Sequence, residues 1–454
     1  MASNISDNHN ESKASARRRI AVIASAVACI IVIAAALGLY LTHRGNGSDQ
    51  ASGQPGNQSA TTQNNGSATP SNGDSDNPSN DVSAEQDNSS LPFSFKGADA
   101  PTTVIDASQQ ATDATLSGAW TFGGDYSVIG SIPIDANTAF GSSTNTPDDI
   151  TSYVAAMISA DGTKPLEQKQ ARTSGAYEPQ DGTGNAQRVV WRSSTINGSA
   201  QTLYDNWRIQ TWSADGGTVT LATAKDLNQR EDTPTVDSDI VPTFNEDNAF
   251  FASNIIKDGS WKTKIVQMRL DGKNTEAIAD GSYPAAVPDG VLYASDARSL
   301  GDDKVAYQSL NQYSSKTGKS NTVFSISGKD HSWGITGVWA SSSYRAIAMT
   351  DLQTNTESYI GVWNSDFSKP VAWLHVATPT VVASLNDDWL VWGAGSQADN
   401  ADIYAFRFDQ QTVKKLGSAP GYSRPAIAMD NDTVMLPVVK DQSSPVSYTI
   451  AQLQ

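Results

Sequence analysis

Cysteine is nearly absent: Cys29 is the single one in 454 residues. It lies in an apolar N-terminal run, so no disulfide forms in the rest of the chain, and stability there must come from the size of the core. Positive charge is also scarce, with 31 Lys and Arg against 48 Asp and Glu. Beyond residue 44 the imbalance sharpens to 26 basic residues against 46 acidic ones. A domain of that sign repels nucleic acid, which is excluded as a partner. Only two histidines, His331 and His375, lie in that part of the chain. Imidazole metal centres need clusters, and these two stand in separate repeats, so neither a metal nor another cofactor is expected. His375 follows Trp373-Leu374 in a strand and reads as a packed or surface residue. No Gly-x-Ser-x-Gly elbow, phosphate-binding glycine loop or long amphipathic helix follows residue 96. No catalytic residue can be named, and the binding residues stay unknown at this stage.

One long hydrophobic run is present. The 23 residues from Ile20 to Thr42 carry no charge. At 1.5 Å per residue they span roughly 34 Å, enough to cross a hydrocarbon core. Arg17, Arg18 and Arg19 abut the run on one side, while only His43 and Arg44 follow it. The positive-inside bias then places residues 1–19 in the cytoplasm, residues 20–42 in the lipid bilayer and the remainder outside the cell membrane. A cleaved signal peptide is the alternative, since Ala34-Ala35-Ala36 offers small residues of the cleavage type. Both readings export the rest of the chain.

Residues 43–95 read as a disordered linker. From Gly45 to Phe95 there is no Lys or Arg, and Ser, Asn, Gly, Gln, Thr, Asp and Pro dominate. Such a composition buries too little apolar area to offset its ordering entropy. A flexible chain of that length has an r.m.s. span of about 40 Å.

Residues 96–454 are a different material: short runs rich in Val, Ile, Tyr, Phe and Trp, punctuated by Asp, Asn, Gly and Ser. A turn leading straight into an apolar strand recurs seven times. The turns are Gly123-Gly-Asp125, Gly182-Thr-Gly-Asn185, Asn245-Glu-Asp-Asn248, Pro288-Asp-Gly290, Ser341-Ser-Ser343, Asn386-Asp-Asp388 and Asp430-Asn-Asp432. An alternating strand follows each, beginning near Tyr153, Trp207, Ile265, Val323, Tyr359, Ile403 and Val446. Four-stranded repeats with variable loops fit this spacing, so the fold class is all-β and the architecture a β-propeller of about seven blades, with six or eight as the neighbouring counts. The last repeat lacks a fourth strand, while Thr102-Thr-Val-Ile105 belongs to no repeat. Lending that N-terminal strand to the last blade would close the ring and remove two open sheet edges.

Pro242-Thr-Phe244-Asn-Glu-Asp247-Asn-Ala-Phe250-Phe-Ala252 is similar to the blade signature of the TolB-type (WD40-like) propellers. Arg424-Pro425-Ala-Ile-Ala-Met-Asp430 and Pro284-Ala-Ala-Val-Pro-Asp289-Gly290 are weaker copies of it. The resemblance implies the architecture of roughly residues 110–454, and no residue-level function.

Ser213-Ala-Asp215-Gly-Gly217-Thr218 resembles part of the Asp-box turn of sialidase-like propellers, with a fainter echo at Ser159-Ala-Asp161-Gly. Asp-Gly turns are common in any hairpin-rich chain, and a structural turn is the simpler reading. Trp389-Leu-Val-Trp392 has the continuous apolar character of a strand buried on both faces. Trp207 and Trp212 fall on opposite faces of one strand, so at most one meets solvent. Trp261 and Trp333 read as candidate contact residues on loops. The expectation is a membrane-anchored, non-catalytic binding or scaffold propeller at the cell envelope, with a protein partner. A glycan-binding or glycan-cleaving propeller is the alternative.

Overall fold

The computed structural model describes residues 91–454 apart from 148–151, 169–176, 197–203, 229–240, 258–259, 302–303, 328–331, 379–380, 395–399, 421–423 and 440–443. The membrane run at 20–42 and the linker up to residue 90 lie outside the described residues. No helix among the described residues is long and apolar enough to cross a membrane.

Seven antiparallel four-stranded units are formed by the described residues. The first six span 128–165, 177–223, 243–280, 282–327, 333–376 and 381–420. The seventh takes three strands from 426–453 and its fourth from Leu116–Gly123. The first strands of successive units touch in a closed cycle, the seventh against the first. That cycle makes the fold a seven-bladed propeller, with each blade's first strand nearest the axis. A single residue pair, Tyr307 with Ile335, joins blades 4 and 5 into one sheet.

The apolar runs are explained by the second strand of each blade, which is packed on both faces. Leu390 and Trp392 pack toward blade 5, while Trp389 and Val391 pack toward blade 7. Phe251 likewise meets blade 2 and Phe250 meets blade 4. A strand with a neighbour on either side has no solvent face, so alternation gives way to a continuous run. The seven interfaces thus formed are the core.

Strand direction alternates within a blade, so turns between first and second and between third and fourth strands leave on one face of the ring. The other connections leave on the opposite face. We term these the turn face and the connection face. The recurrent turn motifs lie on the turn face and do two jobs. Asn386 Oδ1 accepts from the backbone N–H groups of Asp388 and Trp389, fixing its own turn. Its Nδ2 donates to Ala428 O at 3.0 Å and Asn431 O at 2.9 Å, which belong to the next blade. Asn245 donates in the same way to Val287 O, and Asn431 to Ile134 O. One amide therefore shapes a turn and fastens it to its neighbour. The first of the seven motifs was misplaced: Gly123-Gly-Asp125 leads out of the closing strand, and the inner turn of blade 1 is residues 136–137. Val323 is likewise in a fourth strand, Lys319–Ser327; the third strand of that blade is Lys304–Ser314, whose polar pattern hid it.

The N-terminal segment runs as a strap around the outside of the ring. Strand β1 (Ser94–Lys96) pairs antiparallel with the outer strand of blade 4. Strands β2 (Val104–Asp106) and β3 (Thr112–Asp113) pair parallel with the outer strands of blades 5 and 6. Strand β4 (Leu116–Gly123) then completes blade 7, with Phe122 opposite Tyr448. Closure by an N-terminal strand is as expected, but the strand differs. Residues 102–105 are too short to cover a blade, and they extend blade 5 instead. The domain also begins earlier than residue 96. Phe93 and Phe95 are buried between blades 4 and 5, with Phe93 4.9 Å from Trp333 and Phe95 4.9 Å from Phe324 between ring centroids. Trp363 Nε1 donates to Asp99 O at 2.7 Å, holding the strap where it crosses between blades. At Gly97 φ is +97° and a Cβ would stand 2.3 Å from Val323 O, so only glycine turns the strap there.

Phe95→Ala should cost about 3–5 kcal/mol, as a fully buried aromatic leaves a cavity at the blade 4–5 interface. Among chains beginning at Leu91, Ala111 and Gly124, the second should melt below the first and the third should not fold cooperatively. Equal melting of the first two would mean the strap adds no stability. Asn386→Asp keeps the turn acceptor and loses both inter-blade donors, and a loss of about 1–3 kcal/mol is expected from chemical denaturation.

Candidate functional site

Where blades 1, 2 and 7 are tied together, three arginines gather in an otherwise acidic chain. Asp181 sits in the inner strand of blade 2 (Tyr177–Gly184). Its Oδ2 is 3.2 Å from Arg192 Nη2 and its Oδ1 is 3.2 Å from Arg424 Nη1. Arg192 belongs to the second strand of blade 2, and Arg424 precedes the inner strand of blade 7. One carboxylate therefore joins two blades that have blade 1 between them in the ring. The Arg192 side chain is 3% exposed, and a guanidinium so enclosed needs a charged partner.

A second carboxylate organises the boundary between blades 1 and 2. Glu167 lies just beyond the fourth strand of blade 1. It accepts from Ala155 N at 3.1 Å, Arg208 Nη2 at 2.9 Å and Gln210 Nε2 at 3.3 Å. Gln210 Oε1 in turn accepts from Ser193 Oγ, next to Arg192. The inner strands are tied directly as well, Gly182 N donating to Ser131 Oγ at 3.1 Å.

Glu178, three residues before Asp181 on the same strand, differs from both. Its Oε2 is enclosed without a hydrogen-bond partner among the described residues, although the residue as a whole is half-buried. Burial pushes this carboxyl up to about 8, so it is a neutral acid at neutral pH. Nearby, burial pushes the Tyr153 phenol up, and Glu178 adds to the shift; its hydroxyl donates to Tyr126 O. Together these groups fasten blades 1, 2 and 7 to one another. Glu178 could exchange a proton near neutrality, but no activated nucleophile is paired with it among the described residues.

The residues singled out from the sequence lie elsewhere, and most are structural. Ser213–Gly217 is a hairpin turn on the turn face: Ser213 Oγ accepts from Gly216 N at 3.1 Å, and Asp215 is exposed. Trp333, expected on a loop, is 3% exposed inside an inner strand against Phe93. Trp261 is in a strand, its backbone paired with Ile256. Trp207 is buried and Trp212 half-buried, on the two faces expected. Trp389 and Trp392 are fully buried. His375 is packed on Tyr359 with ring centroids 4.9 Å apart, and His331 lies outside the described residues. No group of three His, Cys, Asp or Glu residues among the described residues is arranged to hold a metal. The site at Asp181 escaped sequence reasoning because no spacing links positions 167, 178, 192, 208 and 424.

No protein-family model matches the chain, and no curated protein matches it. Solved structures similar to it include TolB from Acinetobacter baumannii, at 13% identity and TM-score 0.39 over 63% of this chain and 65% of that one. An oligogalacturonate lyase in complex with manganese is similar at 10% identity and TM-score 0.45, over 82% of this chain and 96% of its own. The tricorn protease is similar at 9% identity and TM-score 0.46, over 74% of this chain and 34% of its own. The chain thus spans under two thirds of TolB and about a third of the tricorn protease. At such identities neither substrate nor chemistry transfers.

Replacing Glu178 tests its environment. A carboxyl raised from 4.5 in the unfolded chain to about 8 in the fold contributes a loss of stability as pH rises through that window. Glu178→Gln should flatten this decline and melt above the wild type at about pH 9, with little difference at about pH 4. Parallel melting curves at all pH values would show that the carboxyl is solvated.

Proposed function

We propose that this protein is a non-catalytic binding module, displayed outside the cell on an N-terminal membrane anchor and recognising a protein partner. The observation that carries the reading is the difference between the ring's two faces. The turn face is built of short turns whose side chains fasten blade to blade, such as Asn245 and Asn386. The connection face carries the longer links between strands, including residues 144–153 and 224–242. Variable links on a rigid ring are the usual means by which propellers present a recognition surface. Ser213–Gly217 is used as a hairpin turn, and Trp207, Trp333, Trp389 and Trp392 are used in packing between blades. Anchoring rests on the uncharged run from Ile20 to Thr42 and the arginines before it.

A soluble chain beginning at Leu91 should capture from envelope extracts the same protein that cross-links to the full-length chain in cells, and should leave a glycan array blank. Glycan binding without protein capture would replace this reading with the glycan one. Protease added to intact cells should remove the propeller and spare the N-terminus; a protected propeller would overturn the orientation.

A further inference from the structure

Where the strap crosses blade 5, one imidazole stands between two carboxylates from different parts of the chain. Asp106 at the end of β2 is opposite His375 in the ladder, and its Oδ2 is 3.3 Å from His375 Nδ1. On the other side of the imidazole, Glu357 Oε2 is 3.0 Å from His375 Nε2. Both nitrogens therefore face acceptors. A neutral imidazole has one N–H and one lone pair, so it can donate to only one carboxylate and must turn its lone pair on the other. The imidazolium donates to both. We propose that Asp106–His375–Glu357 is a proton-dependent latch, which holds the strap on blade 5 more tightly when His375 is charged than when it is neutral.

The surroundings fit a latch of this kind. All three side chains are part-exposed, at 25%, 23% and 35%, so protons reach them without unfolding. Asp106 is fixed from its own side as well: Oδ1 accepts from Ser108 Oγ at 2.6 Å and Gln109 N at 3.2 Å, capping the short helix Ala107–Gln110. Burial would raise this carboxyl, but those hydrogen bonds and His375 outweigh it and hold it below the usual carboxylate range. It thus stays ionised through the range where histidines change charge. The other groups near the latch do not replace it. Tyr359 stacks on the imidazole and is pushed up by burial and by Glu357 and Asp106. From blade 6, Tyr404 donates to Asp402 Oδ2 at 3.2 Å, and Lys415 is engaged by the same carboxylate at 2.9 Å. The strap carries the consequence, because beyond Asp106 it continues through β3 to β4, the strand that closes the ring.

Amide hydrogen exchange of the full-length chain, corrected for intrinsic rates, tests this between about pH 5.5 and 8. The segment 102–113 should lose protection by up to about fivefold as pH rises, the range of a part-exposed ion pair. The fourth strand of blade 3, Thr275–Asp280, which the strap does not touch and which is not in the blade of Glu178, is the internal reference. His375→Gln and, independently, Asp106→Asn, which removes the charge on the strap side and keeps a helix-capping side chain, should abolish the difference between strap and reference. If either variant folds poorly, the other still decides. A pH response that survives in the folded variants, or its absence in the wild type, would overturn the latch.

Discussion

A propeller is a line of sheets until its last blade meets its first, and everything else in this structure depends on that closure. Met435 and Ile450 of blade 7 pack with Ala139 and Ile158 of blade 1 to make the seventh interface. They stay there because β4 completes blade 7 before the chain enters blade 1. The bond that locks the ring is thus a ladder between residues more than 300 positions apart, such as Phe122 and Tyr448. Without disulfides, this ladder and the seven interfaces bear the whole load.

The strap makes the closure more than a local pairing. Before reaching blade 7 the chain is inserted at blades 4 and 5 through Phe93 and Phe95, then laid along the edges of blades 5 and 6. Three sheet edges that would otherwise be open are covered by the chain's own backbone. The chain therefore enters the ring at the interface between blades 4 and 5, and the latch at His375 lies on that same path.

The charged network at Asp181 obeys a similar economy. Asp181 satisfies an enclosed arginine of its own blade and one from the other side of blade 1, while Glu167 does the same for Arg208 beside it. These bridges fasten blades 1, 2 and 7, where β4 hands the chain over to the first blade. Glu178, on the same strand as Asp181, is left outside these bridges, and burial raises its carboxyl to about 8. A recognition surface on the connection face would have this fixed, charged rim beneath it.

The all-β class and six of the seven inner turns are legible in the sequence because each depends on local order. Turn residues such as Asn386 bond their own backbone two and three positions on, and a strand packed on both faces shows as an unbroken run such as Trp389–Trp392. The charge and the scarcity of histidine and cysteine are likewise properties of composition. What the tertiary structure alone decided was which distant segments meet. The pattern points to residues 102–105 as the closing strand, and only the path along the rim assigns residues 116–123 to blade 7. Trp333 is buried in an inner strand by neighbours from other strands and from the strap, Phe93 and Tyr359 among them, which its local sequence does not show. Asp181 with Arg424, and Asp106 with His375, are pairs whose energies depend on distance in space, which the order of residues along a chain does not carry.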